Sequence, residues 1–192
     1  MEEARLEQLE SGLAPVSPGW FVVNARDAAW VNNEHFGGVC IFEADDVFLQ
    51  GRPDLQGYEK PDAGFTLRVF GPGRPSGLYH YESHQQEDFL VLAGECLLLV
   101  EEQERQLRAW DFVHCPAGTA HAFVATGEEP CVLLATGNRV DESITVRPRS
   151  ELALRHGAGL EEETTSFPRG RYGPWRLEHP PQWRELPWVT DD

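Results

Sequence analysis

The stretch from Gly77 to Gly94 reads GLYHYESHQQEDFLVLAG, and its pattern decides the fold. His80 and Glu82 stand two residues apart in a segment that we expect to be extended, so their side chains would share one face of a strand. The polar run at residues 83–86 can turn the chain. Glu87 would then enter the next strand on the face that carries its alternate apolar residues, and so point towards the interior.

A second stretch, from Trp110 onward, reads WDFVHCPAGTAH and ends at His121. The Pro-Ala-Gly-Thr run at 116–119 is a turn signal, and it would deliver His121 to a third strand. Two imidazoles and two carboxylates would then converge, namely His80, Glu82, Glu87 and His121. Ionised carboxylates in an apolar interior are costly unless a cation is paired with them, so this group is a candidate site for a divalent metal.

The surrounding sequence consists of short apolar or alternating segments between turn residues. The segment Phe65–Phe70 alternates apolar and polar residues and stops at Gly71-Pro72-Gly73, as expected of a half-buried strand. Similar segments of about five residues recur up to Thr136, at the spacing typical of β-barrels and β-sandwiches. We also expect strands at 20–24, 39–43, 78–82 and 106–113. The sequence predicts an all-β fold.

Both flanks of this region differ from it. Leu6, Leu9 and Leu13 recur at helical spacing in an acidic context, which predicts a short N-terminal helix. Ser150 and Gly157 bracket a second short helix, as an N-cap and a stop signal. The segment 167–192 is rich in Pro and Trp and is predicted to be an irregular strap. We therefore divide the chain into an extension (1–19), a barrel (20–146) and a C-terminal helix with its strap (147–192).

The quoted stretches resemble the two motifs of the cupin superfamily. The first motif, G-x5-H-x-H-x3–4-E-x6-G, is met by His80, Glu87 and Gly94, while Glu82 stands where the second histidine is usual. The second motif, G-x5-P-x-G-x2-H-x3-N, agrees with this sequence at three of its defined positions and differs at two. The matches are Pro116, Gly118 and His121; the replacements are Trp110 for the first glycine and Ala125 for the final asparagine.

This resemblance spans about residues 65–136 and implies a double-stranded β-helix, or jelly-roll barrel, that holds one divalent metal ion per chain. If His80, Glu87 and His121 bind alone, they form a two-histidine, one-carboxylate triad, which suits Fe(II) and oxygen chemistry. If Glu82 also binds, Mn²⁺ or Zn²⁺ becomes competitive, and Ni²⁺ is a further possibility. Glu82 could instead be an unligated general base, and His84 is the substitute ligand if Glu82 does not bind.

Three functions fit this pattern. The first is a small-molecule metalloenzyme, with dioxygenase-like chemistry ahead of isomerase or lyase chemistry. The alternative is a non-catalytic cupin module that binds or senses a small ligand, and the third is a protein that the metal only stabilises. Arg68 could hold a substrate carboxylate, but as a polar residue in an alternating strand we expect it to face outward.

The charge of the chain bears on its partners. Its 192 residues carry 16 Lys and Arg against 32 Asp and Glu, a formal net charge of −16. Such a surface repels phosphate backbones and anionic lipid, so we expect neither nucleic acid nor membrane as a partner. The first six residues lack the basic, then apolar, then small-residue order of a secretory signal, and we expect a cytoplasmic protein. The Trp-rich tail offers apolar surface for self-association, which predicts a homodimer.

Overall fold

The computed structural model describes residues 2–40, 42, 61–168, 170–183 and 186. In these ranges it contains thirteen strands and one short helix. Their bounds are β1 (Leu6–Leu9), β2 (Gly12–Pro15), β3 (Trp30–Asn33), β4 (Gly37–Cys40), β5 (Ala63–Phe70), β6 (Tyr81–Glu82), β7 (Glu87–Ala93), β8 (Glu95–Val100), β9 (Gln103–Arg108), β10 (Phe112–Cys115), β11 (His121–Ala125), β12 (Cys131–Asn138), β13 (Thr145–Val146) and α1 (Glu151–Arg155).

The strands form two main antiparallel sheets. The larger has six strands in the order β10-β7-β12-β5-β4-β3, and the smaller has three in the order β11-β8-β9. Two-stranded pairs, β1 with β2 and β6 with β13, complete the arrangement. The chain passes from the larger to the smaller sheet between β7 and β8, returns between β9 and β10, and crosses again before and after β11, as in a jelly roll. The predicted all-β fold is therefore confirmed.

The core lies between the two sheets, because its buried residues come from both. They are Phe70, Phe89, Val91, Cys96, Leu98, Cys115, Phe123, Ala125, Cys131 and Leu133. Each strand contributes alternate residues to this interior, as the two-residue period of a β-strand requires. Along β5 the inward positions change from the buried Phe70 to Arg68, Thr66 and Gly64, which line a cavity. The interior is therefore apolar at one end and polar at the other.

Helix α1 forms where the sequence predicts it. The Ser150 hydroxyl accepts a hydrogen bond from the backbone N–H of Ala153 at 3.0 Å, which is the geometry of an N-cap. Gly157 follows with a φ of +70°, a left-handed conformation that ends the helix. Leu152 and Ala153 pack with Tyr79 and Leu99 on the outside of the smaller sheet.

The predicted N-terminal helix is wrong, since this segment is the β1–β2 hairpin. Its residues pair across the turn from Leu6 with Pro15 to Leu9 with Gly12. Gly12 has a φ of +136°, and a Cβ there would come within 2.4 Å of the carbonyl oxygen of Ala28. Tertiary pairing with this neighbouring segment thus overrides the helical spacing of the leucines.

Several predicted strands differ in extent. Segment 20–24 forms only a single bridge, between Trp20 and Glu3, and the strand predicted at 39–43 is the end of β4, with 41 and 43 outside the described residues. Segment 78–82 contributes β6 and the single bridge between His80 and His121. Segment 106–113 splits into β9 and β10, because Trp110 takes a φ of +76° and turns the chain between them.

The C-terminal segment contacts the larger sheet. Trp175 and Leu177 pack against the cluster that contains Val31 and Val39, and Arg176 forms a backbone bridge with Asn32. The last Trp of the predicted strap, at position 188, lies outside the described residues. In the described part of the chain, no helix has the length and apolar character needed to cross a membrane.

Candidate metal centre

Three of the predicted ligands meet at the polar end of the interior. Glu87 is the first residue of β7 and His121 the first residue of β11. His80 lies before β6, where its backbone N–H and carbonyl exchange hydrogen bonds of 3.1 and 2.8 Å with those of His121. One ligand atom from each of the three side chains lies within 4.8 Å of the other two.

The distances within this triad suit one shared ion. Glu87 Oε2 lies 3.5 Å from His121 Nε2 and 3.9 Å from His80 Nε2. Two ligand atoms that each lie about 2.0–2.2 Å from one ion can be at most about 4.4 Å apart. The observed separations satisfy this limit for both pairs.

The backbone fixes which nitrogen of each imidazole faces the centre. His80 Nδ1 lies 2.7 Å from the carbonyl oxygen of Leu78, and His121 Nδ1 lies 3.0 Å from that of Thr119. A carbonyl oxygen only accepts hydrogen bonds, so each Nδ1 must carry the proton and donate it. Each Nε2 therefore presents its lone pair to the centre, an arrangement that metal-binding histidines share.

The ionisation properties of the triad agree with this assignment. Burial, with a smaller contribution from the His121 ring, lowers the pKa of His80 to about 3, and burial also lowers the pKa of His121. Both rings are therefore neutral at neutral pH. Burial raises the pKa of Glu87 to about 7, with the Glu82 carboxylate adding to the rise and the Arg68 guanidinium opposing it.

The donor set thus fits a divalent cation. Two imidazole lone pairs and a carboxylate oxygen converge, and all three are acceptors once Glu87 is ionised. Acceptors that face one another without a donor repel, and a cation removes that repulsion. Aromatic rings close the apolar side of the triad, since Phe89 lies 5.0 Å from the His121 ring, centroid to centroid.

Glu82 lies beside the triad and is not part of it. Its carboxylate accepts hydrogen bonds from Thr145 Oγ1 at 2.5 Å and from Ser143 Oγ at 3.2 Å. His80 bridges to His121, whereas Glu82 pairs with Thr145 in the separate β6–β13 pair.

The other histidines near the motif also lie apart from the triad. His84 is exposed, and its Nδ1 lies 2.8 Å from the hydroxyl of Ser83. His114 forms a contact of 2.6 Å with Asp88 on the surface of the larger sheet. The triad is thus formed by His80, Glu87 and His121 alone among the described His, Cys, Asp and Glu residues.

A cavity of about 220 Å³ opens beside the triad. Arg68 lines it, contrary to the expectation that this side chain faces outward, and its Nη1 donates to the carbonyl oxygen of Ser76 at 2.8 Å. Arg139 lines the cavity as well, a residue that the sequence reasoning missed. The sequence contains a signal for it, because Arg139 follows Leu133, Ala135 and Gly137 at two-residue spacing, and all four line the cavity.

Comparison with known proteins finds similarity in the region of the chain that contains the triad. The model of the family described as Cupin domain matches residues 66–137. A quercetin 2,3-dioxygenase of Bacillus subtilis is 36% identical over 53 residues, which are 28% of this chain and 16% of that protein. This chain therefore spans only a small part of that curated relative.

Two solved structures are also similar to part of this chain. A sugar phosphate isomerase from a cupin superfamily, from Silicibacter pomeroyi, is 28% identical with a TM-score of 0.41, over 48% of this chain and 64% of that one. KdgF from Halomonas sp. is 21% identical with a TM-score of 0.49, over 65% of this chain and 98% of that one. The match to the Cupin domain model, over residues 66–137, thus includes all three residues of the triad.

Proposed function

We propose that this protein is a metal-dependent enzyme that acts on a small organic molecule, with one divalent ion held by His80, Glu87 and His121. The convergence of two imidazole lone pairs and one carboxyl group carries this proposal. An ion bound there would polarise substrate oxygens or, as Fe(II), supply oxygen chemistry at the coordination positions that three protein ligands leave open.

The residues of the chain prepare the site for such a ligand. The Leu78 and Thr119 carbonyls hold the two imidazole rings in fixed orientation, so binding needs little reorganisation. Phe89, Phe123 and Leu133 line the inner wall of the cavity and exclude water from the side of the triad that faces the core. In the metal-free chain the pKa of Glu87 is raised to about 7, so this carboxyl group carries a proton part of the time near neutral pH, and a bound ion would displace that proton.

Oxygenase chemistry is the first choice for the reaction, and isomerase or lyase chemistry the second. A triad of two histidines and one carboxylate is the ligand set typical of non-haem Fe(II) oxygenases. The partial similarity to a quercetin dioxygenase supports the same choice. The cavity of about 220 Å³ is smaller than the roughly 300–1,000 Å³ of sites that hold drug-sized molecules. We therefore infer a substrate smaller than a flavonoid.

Metal analysis followed by oxygen uptake tests this proposal. Protein purified without chelator or nickel resin should contain about one equivalent of a divalent metal. The chain reconstituted with Fe(II) or Zn²⁺ is then offered catechols, hydroxy acids and 1,3-diketones in an oxygen electrode. Oxygen uptake with Fe(II) alone indicates an oxygenase, whereas turnover with Zn²⁺ and no oxygen uptake indicates an isomerase or lyase.

Matched variants show whether the triad is responsible. His121→Ala should lose both the metal and turnover, while His84→Ala, a histidine change outside the triad, should lose neither. A wild-type chain that binds no divalent metal would overturn the proposal. Stoichiometric metal with one tightly retained ligand and no turnover would favour a binding module instead of an enzyme.

The role of Glu82 as a fourth ligand or a general base stays a prediction, and Glu82→Gln tests it. Loss of metal in this variant would make Glu82 a ligand. Retention of metal with loss of turnover would make it a base, and retention of both would exclude the two roles. The hydrogen bonds from Ser143 and Thr145 to its carboxylate favour the last outcome.

A further inference from the structure

The polar end of the interior is strongly cationic relative to the rest of the molecule. The chain carries a net charge of −16, yet two of its arginines, Arg68 and Arg139, line the one cavity that also contains the triad. Glu87 is the only carboxylate among the described residues that line this cavity. Once a divalent ion is bound, the cavity therefore carries an excess of positive charge.

The guanidinium of Arg68 is held in place. The side chain is half-buried on β5, and the Ser76 carbonyl accepts a hydrogen bond of 2.8 Å from its Nη1. Its field reaches the centre, since it opposes the rise in the pKa of Glu87. A planar guanidinium that the backbone orients is suited to bidentate recognition of a carboxylate or phosphate.

Other features of the cavity limit the size and type of its ligand. Its volume of about 220 Å³ excludes large molecules, and Thr66, Gln85 and Thr136 supply neutral polar groups on its wall. Such groups can orient hydroxyl or carbonyl oxygens without adding charge. The cavity therefore combines one anion-binding end, a few neutral polar contacts and the triad.

We propose that the cavity accepts a small acid, whose carboxylate or phosphate is bound by Arg68 while its remaining oxygens face the triad. This inference rests on the proposed function, because it takes the triad as the place where those oxygens bind. Arg139, which follows β12 on the same inward alternation, adds to the positive charge that the acid meets on entry.

Binding of three probes to the metal-loaded full chain tests the inference by isothermal titration calorimetry. The probes are malate, glycerol 3-phosphate and butane-1,2,4-triol, which is the neutral counterpart of malate. The wild type should bind at least one of the two acids about tenfold or more tightly than the triol. The acid that binds more tightly identifies the anionic group as carboxylate or phosphate.

The variants Arg68→Gln and Arg105→Gln separate this site from general charge effects. Arg105 is exposed on β9, so its replacement removes the same charge from outside the cavity. Arg68→Gln should weaken binding of the preferred acid by about tenfold or more, because a charge-assisted pair is lost. It should leave the metal content unchanged, and Arg105→Gln should change neither quantity.

The two proposals fail in different measurements. Wild-type protein without bound metal overturns the proposed function. Metal-loaded protein that binds the triol as tightly as both acids overturns the inference about the substrate. A preference for the acid that is unchanged in Arg68→Gln would also overturn the inference about the substrate, because malate can bind a metal ion directly without help from the arginine.

Discussion

Metal binding to the triad should release a proton near neutral pH, because Glu87 holds one there in the metal-free protein. Its pKa is raised to about 7 by burial, so roughly half of the metal-free molecules carry this proton at pH 7. His80, with a pKa of about 3, and His121, whose pKa is also lowered, release none at this pH. A metal that needs the ionised carboxylate must therefore compete with one proton.

This competition sets the size of the effect. For one competing proton, the apparent dissociation constant is multiplied by one plus ten to the power of the pKa minus the pH. With a pKa of about 7, the factor falls from about 11 at pH 6 to about 1.1 at pH 8. The affinity for Mn²⁺ should thus rise about tenfold between these values and then level off.

Calorimetry with Mn²⁺ in buffers of different ionisation enthalpy measures both quantities. The observed enthalpy should depend on the buffer with a slope of about 0.9 proton at pH 6, about 0.5 at pH 7 and about 0.1 at pH 8. Glu87→Gln should abolish the proton release and weaken binding. An affinity that is independent of pH in the wild type, or binding without proton release at pH 6, would refute the assignment of Glu87 as a ligand.

The same carboxyl group should make the metal-free fold less stable as the pH rises. The folded-state pKa is raised from 4.5 to about 7, so its favourable contribution is complete below pH 4.5 and is lost as the pH rises through 7. Glu87→Gln is neutral at every pH. Metal-free Glu87→Gln should therefore exceed metal-free wild type in unfolding free energy by about 1–3 kcal/mol at pH 8, and match it near pH 4.5. Urea denaturation at the two pH values measures this difference, and equal stability at pH 8 would contradict it.

The remaining predictions concern other positions. Elemental analysis should find no metal in purified His121→Ala and full metal in His84→Ala; equal contents would contradict the triad. Trp110→Gly should stabilise the fold by about 0.5–1 kcal/mol, because Trp110 is 74% exposed and held at a φ of +76°; a lower unfolding temperature would count against this. Ser150→Ala should cost about 1 kcal/mol in urea denaturation through loss of the N-cap. Light scattering at micromolar concentration should give twice the chain mass of 21.6 kDa, and a monomeric mass would contradict the predicted homodimer.

The fold and the three residues of the triad could be predicted because both follow largely from the two-residue period of strands. Glu87 begins β7 with Phe89 and Val91 on its own face, and the turn at 116–119 places His121 at the start of β11. These relations are local, so sequence spacing determines them. Glu82 is different. Its carboxylate accepts a hydrogen bond from Thr145, more than sixty residues later in the chain, and spacing within the motif cannot reveal a partner at that distance.

The alternation of apolar and polar residues along β5 predicts that Arg68 faces outward, whereas the structure places it inside. Leu67 and Val69 are the apolar alternates, and they are buried, but against Trp30 and the C-terminal segment on the outside of the sheet. The β5 side chains that point inward are the polar ones. They occupy every second position counted back from Phe70, which lies in the core between the sheets. A strand whose outer face is covered by a distant segment has two buried faces, so its more apolar side need not be its inner one. In this chain the polar face of β5 is turned inward, and it brings a guanidinium to the cavity that contains the triad.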